Sequence, residues 1–260
     1  MRILVTNDDG VHAEGIKAMA GALEEEGHEI IVIAPGREMS ASSHSITINS
    51  PLRKREVKNY DLDCRVYKVN GTPADCVKLG LHTLEEFKPE LVISGINNGK
   101  NLGYDVFYSG TVAAAVEAHL QGYNSLAVSL SVKDKRNFKE AALIVEELIS
   151  THRLFYDRED QPLNINIPDL ARKNVKGIKV TNLTPQIYDR AVEKRIDPEG
   201  RDYFWFVGGD EEIDFPDSDI QAVNEGYISL TPLKLKTTDK NRKKKLNHLE
   251  KFETNGDNQR

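Results

Sequence analysis

Four short stretches of this chain collect side chains able to do chemistry. Asn7-Asp8-Asp9-Gly10 sets two carboxylates side by side directly after an apolar run. Ser40, Ser42, Ser43 and His44 crowd into the polar stretch 36–50. Asn97, Asn98 and Asn101 lie among Gly95, Gly99 and Gly103, and Ser109-Gly110-Thr111 heads an alanine-rich stretch. Apart from His44, the set offers oxygen. Two acids so close repel unless a cation lies between them. An oxygen donor set selects a hard divalent ion, Mg²⁺ or Mn²⁺, over zinc.

Each stretch also has a plainer reading. Asp8 and Asp9 can simply cap a helix that begins near Ala13. The serines suit turns, although fifteen residues without structure are long for a compact domain and such loops often serve a function. His44 alone is either a surface histidine or an acid for a leaving group. Ser109 is an ordinary N-cap. That reading leaves the preceding glycine-rich loop unexplained, whereas a phosphate site at a helix N-terminus uses both.

The order of elements brings the four stretches together. Ile3 to Thr6 and the run HEIIVIAP are apolar without alternation, as buried parallel strands are. Residues 13–26 between them repeat at helical spacing through Ile16, Met19, Ala20 and Leu23 and stop at Gly27. Further strands are expected at 64–70, 90–95, 125–130 and 164–168. Helices are expected from Thr72 (N-cap, with Pro73 and Asp75 in capping-box positions), from near Thr111, and over 138–150. This alternation predicts an α/β fold, a doubly wound, mostly parallel, Rossmann-like sheet. Ligands of such sheets bind beyond the carboxyl ends of the strands, where the first three stretches fall. Residues 1–175 are read as this catalytic body. Residues 176–233 are read as a β-ribbon and helix extension, with GIKVTNL and DYFWFVGGD as ribbon strands parted by the charged stretch 189–202. Residues 234–260 are read as a partly disordered basic tail.

Several function classes drop out. GINNGKN has three residues between its glycines and Asn101 where a P-loop needs Ser or Thr. No G-x-G-x-x-G follows the first strand, and no G-x-S-x-G occurs. The chain has 260 residues and a net charge of −6; the tail from Lys234 holds nine Lys/Arg against four Asp/Glu, so residues 1–233 carry −11. An acidic body argues against a nucleic-acid-coating surface. No apolar run approaches a membrane span. Two cysteines, Cys64 and Cys76, exclude a disulfide scaffold. With no leader-like N-terminus, a cytoplasmic location is expected. The residues alone thus point to a metal-dependent site for phosphorylated small molecules, either a phosphatase or a non-catalytic phosphate-ligand sensor.

ILVTNDDG, SASSHSIT at 40–47, GTPADCV at 71–77, SGIN at 94–97 and YSGTVAAA at 108–115 resemble, in order and at family spacing, the SurE family of stationary-phase survival proteins. The resemblance spans residues 1 to about 130. It implies a metal-dependent nucleotidase acting on nucleoside 5′-monophosphates, with 3′-monophosphates and short polyphosphate as further substrates. It implies one divalent ion per subunit on Asp8, Asp9, Ser40 and Asn97; with such an ion in place, Asp8 and Asp9 are read as the catalytic pair, Asp8 before Asp9 as the acceptor of the water's proton. It implies a phosphate pocket of Asn101, Ser109, Gly110 and Thr111; His44 stands beside it as an auxiliary candidate on its residue type alone. It also implies a homodimer or homotetramer that exchanges or packs its C-terminal half between subunits. No membrane or specific nucleic-acid partner is expected. The family often has Pro where this chain has Lys100, which is expected to face solvent and which makes the placement of Asn101 the loosest part of the carry-over.

Overall fold

Runs such as Ile3-Leu4-Val5 and Ile30 to Ala34 leave no face that water could solvate, so both faces need cover. The computed structural model describes residues 1–132, 135–152, 154–155, 161–185, 191–207, 215–235 and 237–251. In chain order its strands are β1 (Arg2–Thr6), β2 (Glu29–Pro35), β3 (Lys54–Glu56), β4 (Arg65–Val69), β5 (Leu91–Asn98), β6 (Asn124–Ser131), β7 (Leu163–Pro168), β8 (Ile178–Val180), β9 (Ala191–Ile196), β10 (Asp202–Val207) and β11 (Ile228–Pro232). The helices are α1 (Glu14–Glu25), α2 (Pro73–Thr83), α3 (Gly110–Leu120), α4 (Phe138–Thr151), α5 (Asp219–Asn224) and α6 (Lys240–Leu246).

Nine strands form one sheet in the order β3-β4-β2-β1-β5-β6-β7-β11-β8. Its parallel centre, β4-β2-β1-β5-β6-β7, has the doubly wound order in which the chain reverses direction between β1 and β5. β3 and β11 pair antiparallel to β4 and β7. Helices α1 and α4 cover one face through Ile16, Met19, Leu23, Phe138, Val145 and Leu148. Cys76 and Val77 of α2, with Ala114 and Ala118 of α3, cover the other. Ile16, Met19 and Leu23 are wholly buried, each contributing roughly 1.5–3 kcal/mol.

Local signals explain the boundaries. α2 begins with a complete capping box: Thr72 Oγ1 accepts from Asp75 N, and Asp75 Oδ2 accepts from Thr72 N. α3 starts one residue before Thr111, with Ser109 Oγ accepting from Val112 N at 3.1 Å. β5 runs three residues past its expected end and so carries Asn97 and Asn98 on a strand.

The ribbon differs from expectation. Residues 178–180 join the main sheet as β8, parallel to β11. The strand that pairs with β10 is β9, inside the stretch read as a charged spacer. Its alternating sequence AVEKRI allows a strand, and Asp197-Pro198-Glu199-Gly200 makes the turn: Gly200 N donates to Asp197 O at 2.9 Å, with Gly200 at φ 83°. Of the tail, Lys240 to Leu246 form exposed α6, while residues 252–260 lie outside the described residues. No helix among the described residues is long and apolar enough to cross a membrane.

Candidate active site

The loop after β1 is a tight, self-braced turn. Asn7 Oδ1 accepts from Gly10 N, and Asn7 Nδ2 donates to Gly10 O at 3.0 Å. Gly10 has φ 101°, and a Cβ there would press on the Arg37 backbone at 3.2 Å, so only glycine turns here without strain. Asp8 and Asp9 are thereby presented past the end of β1, beside the end of β5.

Asp8 is buried and held at both oxygens by one residue. The Thr111 hydroxyl donates to Oδ1, and Thr111 N donates to Oδ2 at 3.1 Å. Burial pushes its carboxyl from the ordinary 3.8 up to about 6; the Thr111 hydroxyl opposes the rise and neighbouring Asp9 adds to it. Asp9 Oδ2 accepts from Asn98 N at 2.9 Å. Burial raises Asp9 as well, Asn98 opposing and Glu38 adding.

These carboxylates open into a cavity of about 610 Å³ lined by Asp8, Asp9, Glu38, Ser40, Ala41, Asn97, Asn98, Asn101, Asp105, Tyr108, Ser109 and Phe206. Of the residues singled out from the sequence, Asp8, Asp9, Ser40, Asn97, Asn98, Asn101 and Ser109 therefore line one cavity. Ser40 is exposed, its hydroxyl donating to Glu38 Oε1 at 2.7 Å. Asn97 Nδ2 donates to Gly99 O at 2.8 Å.

Three of the residues expected at the phosphate pocket or beside it do not line the cavity. Thr111 is fully buried and spends both its donors on Asp8, so it braces a carboxylate where a phosphate contact was expected. Gly110 packs on Asp8: a Cβ there would lie 2.6 Å from Ser42 Oγ and 2.9 Å from Asp8 Cβ. His44 turns away, its Nε2 2.9 Å from Glu117 Oε2. Glu117 is also bound by Lys78 at 3.0 Å and Gln121 at 2.8 Å. Burial alone would raise Glu117, but these three partners hold it below the usual carboxylate range.

The serine-rich loop is stitched down at several points. Ser43 donates through N and Oγ to the carbonyls of Tyr108 and Phe107. Thr47 N and Oγ1 donate to Asp75, and Thr72 Oγ1 donates to Ser45 O. Ser42 Oγ is buried and has no hydrogen-bond partner.

The sequence reading missed the supports of Asn101. Asn101 N donates to Asn166 Oδ1, and Asn164 and Asn166 each donate an amide to Asn101 O. Asn101 Nδ2 reaches Ser129 Oγ at 2.7 Å. Asp219, at the start of α5, accepts from Gly103 N at 2.8 Å and from Thr184 N at 3.0 Å, tying the same loop to the C-terminal part. The signal was the pattern NINIP itself: two asparagines inside a fully buried strand need buried partners. Tyr108 and Phe206 at the cavity rim were visible only once the fold was known.

An acidic, oxygen-lined cavity at the switch point of a doubly wound sheet defines an α/β protein with a formed small-molecule site. Comparison narrows this class to one family. The family model "Survival protein SurE" matches residues 3–190. A 5′-nucleotidase SurE of Alkaliphilus metalliredigens is 45% identical over 251 residues, 96% of this chain and 98% of that one. Its counterpart from Desulforamulus reducens is 46% identical over 248 residues, 95% and 97%. The crystal structure of the SurE protein from Aquifex aeolicus superposes with a TM-score of 0.81 at 39% identity, covering 96% of this chain and 100% of that chain. The chain belongs to the SurE family.

Proposed function

We propose that this chain is a 5′-nucleotidase, hydrolysing nucleoside 5′-monophosphates to nucleoside and phosphate with one divalent cation, Mg²⁺ or Mn²⁺, per subunit. The observation that carries the reading is one nucleotide-sized cavity lined together by Asp8, Asp9, Asn97, Asn101 and Ser109, in a chain that aligns nearly end to end with proteins named 5′-nucleotidases. Acceptance of 3′-monophosphates and short polyphosphate belongs to the same proposal.

The donors present suit a hard cation. Asp8, Asp9, Ser40 and Asn97 offer only oxygen, and two raised carboxyls side by side are relieved by positive charge. Among the described residues no three His, Cys, Asp or Glu side chains form a cluster, so Asn97 and Ser40 complete the set as neutral ligands. When bound, such an ion offsets phosphate charge and makes a water molecule more acidic.

The chain's own residues supply positioning. Asp8, fixed by two bonds from Thr111, is suited to hold the ion and to take the proton of an in-line water. The α3 N-terminus, beginning at Gly110, lies against Asp8 and donates Thr111 N to it, so its dipole offsets that carboxylate's charge, while Ser109, which lines the cavity, is the part of the helix start offered to phosphate. Asn101, pinned by Asn164, Asn166 and Ser129, supplies a fixed amide wall. Tyr108 and Phe206 offer ring faces to a base at the rim. His44 acts one layer out, holding the serine-rich loop to Glu117.

In this reading residues 1–175 are the catalytic body and 176–233 the assembly extension. β9 is exposed throughout and β10 nearly so, including Phe204, Trp205 and Phe206. An apolar ribbon this exposed suits burial against a second copy in a homodimer or homotetramer. Unpaired Cys64 and Cys76 agree with a cytoplasmic setting.

Phosphate release from AMP and GMP with added Mn²⁺ tests the activity. Turnover is expected; folded protein that binds AMP without releasing phosphate would make it a sensor instead.

A further inference from the structure

A second concavity, of about 350 Å³, lies at the β3 end of the sheet, lined by Gly36, Arg53, Arg55, Lys68, Val69 and Asn70. Its three cations are exposed, and none forms an ion pair among the described residues. Other cations of the body do pair with acids, among them Arg2 with Glu90, Lys17 with Asp61 and Lys179 with Glu225. The pocket gathers three exposed cations and no acid in its lining, in a body that carries −11 over residues 1–233.

The register sharpens this. β3 and β4 are antiparallel, with Arg55 directly opposite Lys68. Like charges in that position weaken a strand pair. Cations on an edge strand do discourage stray pairing, which accounts for Arg55. That does not account for Lys68, because β4 is paired on both sides, with β2 and with β3. Glu56, the acid of β3, falls on the opposite face by alternation. The wall is also fixed: Asn70 Oδ1 accepts from Arg53 N at 2.6 Å, Asn70 Nδ2 donates to Pro51 O, and Gly36 N donates to Val69 O at 2.8 Å. Two unpaired guanidinium groups and an ammonium group converge on one opening, and guanidinium forks match phosphate oxygens.

We propose that this pocket is an anion subsite that holds a further phosphate group of a ligand whose terminal phosphate lies at the Asp8–Asp9 cavity. The proposal rests on the phosphomonoesterase reading and deepens it. The two openings are neighbours. Gly36 lines one and Glu38 lines the other; two residues apart, their Cα atoms are at most about 7 Å from each other. Both sit at the carboxyl ends of parallel strands. A linear oligophosphate or a 5′-phosphorylated oligonucleotide has a second charge to place there, and AMP has none.

The test is calorimetric binding of tripolyphosphate, of the 5′-phosphorylated dinucleotide pApA, of AMP and of inorganic phosphate, all at one fixed excess of Mg²⁺. Wild type is compared with Arg55→Gln and with R53Q/R55Q/K68Q, whose melting temperatures report folding. Wild type is expected to bind at least one extended ligand ten-fold more tightly than inorganic phosphate. The triple variant should lose at least ten-fold for that ligand and less than two-fold for AMP, with Arg55→Gln about three-fold down. A loss confined to tripolyphosphate identifies an inorganic chain, and one confined to pApA an oligonucleotide. Unchanged affinity for both extended ligands, an equal loss on AMP, or no preference over inorganic phosphate in wild type overturns the subsite. Phosphate release from AMP is scored separately: a protein inert on AMP whose variant still loses tripolyphosphate would sink the phosphomonoesterase reading and leave the pocket standing.

Discussion

At the sheet rim Asp8, Asn97 and Asn101 have polar atoms committed to named neighbours at fixed distances. On β10 Phe204, Trp205 and Phe206 keep 60%, 58% and 76% of their surface exposed. One region has its polar groups tied down by the fold of a single chain, and the other leaves its apolar groups without cover. The contrast teaches where each region's specification comes from. The rim is determined within the subunit, so substitutions there should damage chemistry and spare assembly. Under the proposed assembly role of the ribbon, substitutions at Phe204 and Trp205, which do not line the cavity, should do the reverse.

The largest expected effect is chelation. Exhaustive EDTA treatment should abolish AMP hydrolysis, and Mg²⁺ or Mn²⁺ should restore it; full activity without metal would remove the cation from the mechanism. Asp8→Asn comes next, lowering kcat by about a thousand-fold or more, equivalent to roughly 4 kcal/mol, while circular dichroism shows an intact fold. The same variant tests the buried charge. Moving a carboxyl from 3.8 to about 6 means Asp8 favours the fold below pH 4, and that contribution, on the order of 3 kcal/mol, is lost as pH rises through 6. Metal-free Asp8→Asn should therefore melt higher than wild type at pH 7, with the gap closing below pH 5.

Gly110→Ala should cost ten- to a hundred-fold in turnover, because the new methyl group must displace Asp8 or Ser42; wild-type kinetics would show that the α3 start can shift freely. F204S/W205S should weaken self-association at least ten-fold in sedimentation, with only a few-fold change in activity. An unaltered oligomer would free the ribbon from any role in assembly. The smallest effect is expected from Glu117→Gln. Its depressed carboxyl stabilises the fold above pH 4.5 and stops doing so as pH falls through the lower folded value. The variant should lose about 1 kcal/mol at pH 7 and match wild type in acid melts.

Much of the architecture was legible because it rests on local rules. The capping box at Thr72, the stop at Gly27 and the unalternating runs of β1 and β2 each state their element within a few residues. The positions of Asp8, Asp9, Ser40, Asn97, Asn101 and Ser109 around one cavity follow from strand order, which the alternation of elements implies. What escaped depends on contacts distant in sequence. Thr111 faces Asp8 across 103 residues, Asn164 and Asn166 brace a loop more than sixty residues earlier, and Gly103 is held by Asp219 across 116. No window of sequence contains both partners. The ribbon was missed for another reason: charged residues on an exposed strand look like a linker until the Asp-Pro-Glu-Gly turn is read as a hairpin.

The anchoring of Asn101 by Asn164, Asn166 and, one loop further on, Asp219 has a consequence for synthesis. Both aspartates are made well before Asn164 and Asn166, and α5 later still, so the residues that brace the cavity follow those that carry its charge. Truncation anywhere between them should leave a polypeptide with carboxylates and no fixed Asn101, and the proposed activity should be missing from it.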